Sequence, residues 1–195
     1  MNRQSSVNLM VKVALLSVIS FVIMFIEFPL PLFPPFLKID LSDIGALVGA
    51  FAFGPLAGVA IELLKNILHL MRTSTGGVGE LANFLIGAAM VAPAGFIYAK
   101  NKTMKSAIVG LVAGTILMGV VGAFSNYYIL IPFYENFMPI DQIIGMAQAA
   151  NSLIVDLKSY IIYAVIPFNL IKGIVVSILT MLIYKRISPL LRSDV

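Results

Sequence analysis

Apolar residues run through this chain in long blocks, and polar residues mark the breaks between them. The first block, residues 7–27, is long enough for a membrane-crossing helix, and a shorter one covers residues 44–53. Gly54-Pro55 ends that run and opens a third helix over residues 56–71, with proline at a favoured first-turn position. Thr-Ser-Thr-Gly-Gly within residues 72–78 predicts a turn, and a fourth helix follows over residues 79–98. After the basic link Lys100, Lys102 and Lys105, a fifth helix is predicted over residues 106–131, stopped by Pro132. The half-polar residues 133–158 include an amphipathic pattern around residues 140–157, read as an interfacial helix. A sixth long helix takes residues 159–184 and runs into Lys185, Arg186 and Arg192.

Residues 28–43, FPLPLFPPFLKIDLSD, separate the first two blocks. Pro29, Pro31, Pro34 and Pro35 each remove an N–H donor and fix φ, which forbids helix and central strand alike. A stiff, extended loop at the membrane face is predicted. Phe28, Phe33 and Phe36 beside the charges Lys38, Asp40 and Asp43 are costly to display in water, so the loop is read as a lid over something.

Composition fixes the class. With 60% hydrophobic and 11% charged residues and a mean hydropathy of +1.01, the chain lies far from globular usage, where about 25% of residues are charged. It is read as an all-α integral membrane protein, a single unit over residues 1–195, with room for six transmembrane helices and an extracellular lid loop between helices 1 and 2. The absence of cysteine excludes a disulfide scaffold and a thiolate metal site. Although the pI is near 9.4, the basic residues flank apolar segments and form no patch for nucleic acid; they read as topology signals. Arg3, Lys12, Lys100, Lys102, Lys105, Lys185, Arg186 and Arg192 fall on one face, against Lys38, Arg72 and Lys158 on the other. Both termini are therefore placed in the cytoplasm and the proline-rich loop outside. Arg3 and Lys12 before an apolar run also suit a secretory signal peptide, but no small-x-small cleavage site follows.

Polar side chains inside the spans carry the candidate chemistry, because a charge at mid-bilayer costs ~2.5–3.5 kcal/mol on insertion scales. Lys172 lies about 13 residues into helix six, roughly 20 Å from its outer end. Asn169, three residues earlier, shares its face, and the two suit a planar ligand edge of alternating carbonyls and N–H groups. Equally, Lys172 could pair with Glu62 while Asn169 serves as interhelical glue. Glu62, Lys65, Asn66 and His69 form a second polar stripe, in which Glu62 and Lys65 can pair at i, i+3 and His69 suits hydrogen-bonded packing. Glu80 and Asn83 open helix four on one face, placed to meet sugar-like hydroxyls or to cap the helix. Asn126, flanked by Phe124, Tyr127 and Tyr128, offers an amide beside aromatic faces, a cradle for a conjugated ring unless those tyrosines belong to the membrane interface. No phosphate loop, zinc-protease motif or nucleophile elbow is present, and His69 is the only histidine.

FPLPLFPPFLKIDLSD, GALVGAFAFGPLAGVAIELLKN, GGVGELANFLIGAAM and PFNLIKG, in that order, closely resemble the riboflavin-specific substrate-binding subunit, the S component, of energy-coupling factor (ECF) vitamin importers. The resemblance covers about residues 10–186. It implies a non-enzymatic six-helix protein of a prokaryotic plasma membrane, with riboflavin bound as transported substrate and no cofactor. Its partners would be membrane lipid and an ECF module of a transmembrane coupling subunit plus two ABC-type ATPases. By the same resemblance Asn126, Asn169 and Lys172 contact the polar pyrimidine edge of the isoalloxazine ring, and Leu41 with neighbouring loop residues closes over it. Position alone adds Glu80 and Asn83 as partners of the ribityl hydroxyls. The family's small-x-x-x-small docking pattern on helix one departs here, since Ala14 is followed by Val18; Ala14, Ser17 and Val18 are the expected docking residues, Ala14 first. Gly45 stands where proline is expected at the start of helix two. The glycine pairs 45/49, 54/58 and 110/114 are read as internal packing seams. Rival readings are an S component for FMN or another vitamin, a stand-alone proton-coupled carrier using Glu62 and Lys65, and a membrane enzyme built on His69 and Glu80.

Overall fold

The computed structural model describes residues 3–192, with side chains described for residues 6–185; Arg3, Arg186 and Arg192 of the topology reading lie outside those side chains. The fold is all-α apart from one small hairpin. Helix α1 (Arg3–Met24) leads into an antiparallel pair, β1 (Glu27–Pro29) and β2 (Lys38–Asp40), followed by α2 (Asp43–Phe53), α3 (Pro55–His69), α4 (Val78–Asn101) and α5 (Met104–Ser125). Beyond these come α6 (Ile131–Tyr134), α7 (Ile140–Ala150), α8 (Leu157–Tyr160) and α9 (Ile166–Arg192). Among the described residues, four stretches are long and apolar enough to cross a membrane: Ser6–Met24, Val78–Asn101, Met104–Tyr134 and Leu157–Lys185.

The centre is α2. From Asp43 to Phe51 every residue is buried, which is the behaviour of a helix apolar on all sides. Around it pack α1, α3, α4 and α9, and α5 closes the bundle against α4 and α9. Gly54 turns α2 into α3 at φ +103°, a conformation that a side chain would strain, and Pro55 starts the new helix. Nothing packs against Gly54, so it serves the turn and not a seam. The seam reading holds at Gly110 and Gly114, where an added Cβ would meet the Ala94 carbonyl oxygen at 2.8 Å and that of Met90 at 2.4 Å. Only small residues permit α4 and α5 to approach so closely.

Two expectations need correction. The loop after α1 is not wholly irregular: β1 and β2 pair in the register Glu27↔Asp40, Phe28↔Ile39, Pro29↔Lys38. A two-stranded ribbon has only edges, and there Pro29 lacks no obligatory partner. Nor does Pro132 stop the fifth helix. Residues Asn126–Leu130 widen into a π-helical turn, and the helix continues as α6 to Tyr134. The same device recurs at Ile161–Val165, ahead of Pro167. A proline ring clashes with the carbonyl four residues back, here Tyr128 and Tyr163, and both lie inside the widened turns.

Candidate ligand-binding site

Two polar centres sit beneath the hairpin. One is a buried charge network. Lys172 on α9 donates to Asp40 Oδ2 at 2.8 Å and lies 3.2 Å from Asp43 Oδ2. Lys65 on α3 pairs with Asp43 and, at 2.9 Å, with Glu62. The side chains of all five are no more than 8% exposed. Ser42 ties the network together, donating through both backbone N–H and hydroxyl to Asp40 while accepting from Lys65 at 2.7 Å. Lys172 thus pairs with the hairpin and the start of α2 and not with Glu62, whereas Glu62 and Lys65 do form the i, i+3 pair. Burial alone pushes the Asp40 carboxyl up, but the Lys172 and Lys65 ammonium groups outweigh it and hold that carboxyl well below the usual carboxylate range.

The other centre is a cavity of about 270 Å³ lined by Phe36 and Leu37 from the loop, Asn126, Leu130 and Tyr134 from the fifth helix, Met138, Ile143 and Met146 near α7, and Tyr160. Its walls are apolar, and Asn126 and the two tyrosines supply polar groups. The π turn places Asn126, Leu130 and Tyr134 on one wall. Asn126 donates to the Gly122 carbonyl at 3.0 Å and accepts from the Tyr160 hydroxyl at 3.3 Å. Asn169 donates to the Val165 carbonyl at 2.9 Å, and its amide fills the space over Gly122, where a Cβ would lie 2.6 Å from Nδ2. Gly122 therefore brings both asparagines to one spot between α5 and α9. Asn169 and Lys172 lie beside the cavity and do not line it.

The remaining expected residues divide. Phe36 roofs the cavity with its ring 6.2 Å from that of Tyr160, while Lys38 pairs with Glu27 on the exposed hairpin. Leu41 packs against the α2 core. Glu80 is committed locally: His69 Nδ1 lies 2.9 Å from one oxygen, and Thr73 and Thr75 donate to the other at 2.9 and 3.2 Å. It closes the α3–α4 turn and stands apart from the cavity wall, as does half-buried Asn83. Phe124 and Tyr128 stack at 6.0 Å on the outer surface, 57% and 65% exposed, so they do not cradle a ligand with Asn126. The aromatic rings that line the cavity with Asn126 are Tyr160, Tyr134 and Phe36, of which sequence reasoning missed both tyrosines. The four-residue repeat of Asn126, Leu130 and Tyr134 was the available signal. On α1, Ala14 and Val18 are exposed four residues apart, but Ser17 is buried and donates to the Val13 carbonyl, which removes it from any outward docking face.

Comparison with known proteins bears on this geometry. The family described as "ECF transporter, substrate-specific component" matches residues 8–184. Riboflavin transporter RibU of Staphylococcus aureus is 40% identical over 192 residues, covering 98% of this chain and 96% of that protein. Riboflavin transporter FmnP of Bacillus subtilis is 36% identical over 186 residues, covering 94% and 93%. A solved structure described as "Structure and mechanism of the S component of a bacterial ECF transporter" superposes with a TM-score of 0.75 at 37% identity, covering 97% of this chain and 99% of that one. The chain belongs to the substrate-specific components of ECF transporters.

Proposed function

We propose that this chain is the riboflavin-binding subunit of an ATP-driven ECF importer, crossing a prokaryotic plasma membrane six times with both termini cytoplasmic. The observation that carries this reading is the apolar cavity walled by Asn126 and Tyr160 and roofed by Phe36 of the hairpin. Six crossings require α2 and α3 to span as well. Their 11 and 15 residues extend about 16 and 22 Å, short of the ~30 Å core individually, so α2 relies on burial at the centre. The isoalloxazine ring would lie between Tyr160, Phe36 and the aliphatic wall. Its pyrimidine edge alternates acceptors and donors, which matches the carboxamides of Asn126 and Asn169. An ammonium has three N–H donors; Lys172 donates one to Asp40 and lies 3.2 Å from Asp43, so donors remain for the ligand's carbonyl side when the hairpin lifts and reopens the space beside the cavity.

Ligand pockets are usually at least ~300 Å³, so the 270 Å³ cavity admits the whole vitamin only if the hairpin lifts. The hairpin is thus the lid, and the Asp40–Lys172 pair its latch. Glu62 and Lys65 belong to the same latch, which argues against a free-standing proton relay. Fluorescence-quenching titration of riboflavin on the purified protein tests the assignment. Stoichiometric quenching at nanomolar protein, competed by flavins but not by thiamine or biotin, is expected; absence of quenching by folded protein refutes it. Reconstituted uptake should require the coupling subunit and ATPases, and uptake without them would favour a stand-alone carrier.

A further inference from the structure

A second large concavity lies outside the cavity beneath the hairpin, on the outer flank of α5 and α9. It is a trough of about 620 Å³ whose rims are Ile108, Val112 and Ile116 on one helix and Ile174, Ile178 and Leu182 on the other. Each rim repeats every four residues, so the two rows run along neighbouring helices as ridges with a channel between them. All six are at least half exposed, and none of the described elements covers them. The floor carries one hydroxyl pair, Thr115 and Ser177, whose oxygens lie 3.5 Å apart.

The trough has one charged end. Lys185 lines it there, and Lys185 together with Met181 also lines an adjoining cavity of about 250 Å³ that contains Lys102, Thr103 and the Tyr184 ring. Along α9 the trough covers residues 170–185, about 22 Å. That exceeds the ~15 Å half-thickness of the hydrocarbon core, so a trough starting at mid-membrane reaches the headgroup level at its lysine end. Apolar wall, then a hydroxyl pair, then two cations within one headgroup's reach form a graded surface. A second copy of this chain docked here by two-fold symmetry would bring Lys185 and Lys102 against their own images, which like-charge repulsion opposes. A chain with a hydrocarbon tail and a phosphate fits every part.

We propose that the α5/α9 trough is a binding site for one anionic glycerophospholipid of the leaflet facing Lys102 and Lys185, its acyl chain between the isoleucine ridges and its phosphate between the two lysines. Binding here is independent of the vitamin. Each lysine near an anionic headgroup contributes roughly a 5-fold preference, so the pair favours an anionic lipid over a zwitterionic one by roughly 25-fold.

Native mass spectrometry of the delipidated protein, incubated with equimolar dioleoyl-phosphatidylglycerol and dioleoyl-phosphatidylcholine, tests this. One retained phosphatidylglycerol per chain is expected, and Lys102→Gln/Lys185→Gln should erase the preference while leaving phosphatidylcholine retention unchanged. Ser177→Leu, which fills the trough floor and leaves both lysines, should lower retention of both lipids. Riboflavin quenching serves only as a fold control, so failure of the vitamin assignment and failure of the lipid site are separate results. Equal retention of the two lipids, a preference that survives the double substitution, or a protein dimer seated in the trough overturns the proposal.

Discussion

Replacing Lys172 by Met tests the latch. The substitution removes the ammonium between Asp40 Oδ2 at 2.8 Å and Asp43 Oδ2 at 3.2 Å. Asp43 keeps Lys65, whereas Asp40 is left with the Ser42 hydroxyl and backbone N–H. Leaving a buried charge without its partner costs ~3–5 kcal/mol. Beside the latch, the hairpin is held on the bundle by apolar packing, with Ile39 1% exposed, Phe33 5.7 Å from Phe168 and Phe36 6.2 Å from Tyr160, whereas the β1–β2 pairing and the Lys38–Glu27 ion pair join only the hairpin's own strands. Exposing Ile39 alone costs about 1.5–3 kcal/mol, of the same order as the orphaned charge, so the substitution loosens the seat of the hairpin and raises the population in which Asp40 reaches water. Riboflavin affinity should fall at least tenfold, equivalent to about 1.4 kcal/mol, with the loss mainly in the dissociation rate because the roof over the cavity has moved. Quenching titrations and stopped-flow release measure both quantities. The decisive comparison is Lys172→Met/Asp40→Asn, in which the orphaned carboxylate is neutralised: it should bind riboflavin more tightly than Lys172→Met alone. Wild-type affinity in the single variant, or no recovery in the double, would refute the latch.

Gly122→Ala would push a Cβ against the Asn169 amide at 2.6 Å, and an overpacking cost of ~1–3 kcal/mol predicts roughly tenfold weaker riboflavin binding, read by the same titration. Gly114→Ala meets the Met90 carbonyl at 2.4 Å instead, so it should lower the melting temperature in detergent without altering ligand selectivity. Because Asp40 is held below its ordinary value, its contribution to lid closure is fully present above the unpaired pKa of about 3.9 and is lost only as pH falls through the lower paired value. The affinity difference between wild type and Asp40→Asn should therefore stay flat from pH 8 to pH 5; a change near pH 6 would contradict the assignment. Ala14→Trp enlarges an exposed position on α1, of whose most apolar window only 17% is buried; it should abolish reconstituted uptake while leaving riboflavin affinity unchanged.

The apolar blocks placed the long helices to within a few residues, because a span of lipid-facing side chains leaves a continuous signal. Local punctuation was legible too: Gly54-Pro55 does turn α2 into α3. What escaped was whatever depends on which way a helix faces. Asn126 was visible as an odd polar residue, but Phe124 and Tyr128 beside it turn outward while Tyr160, 34 positions later, meets it. Spacing of two residues already sets Phe124 and Tyr128 off the Asn126 face, but period could reveal neither Tyr160 nor the phase of Tyr134 beyond the π turn. Lys172 was likewise conspicuous, yet its partners Asp40 and Asp43 lie more than 120 positions away, and only tertiary packing brings them together. Glu80 shows the local side of the same limit: its bonds to His69, Thr73 and Thr75 close the α3–α4 turn, a commitment that position near a helix start did not reveal.

The widened turns ahead of Pro132 and Pro167 place part of the site's specification in residues that touch no ligand. A π turn holds one residue more than the α-helical repeat, and one residue corresponds to about 100° of azimuth. Exchange of Pro132 for alanine would remove the ring that opposes an ordinary helix, and relaxation of that turn would swing Asn126 about 100° relative to Tyr134 with no backbone hydrogen bond lost. The imino acid thus works as an indexing pin, fixing the angular phase at which two halves of one helix present their side chains to the same cavity.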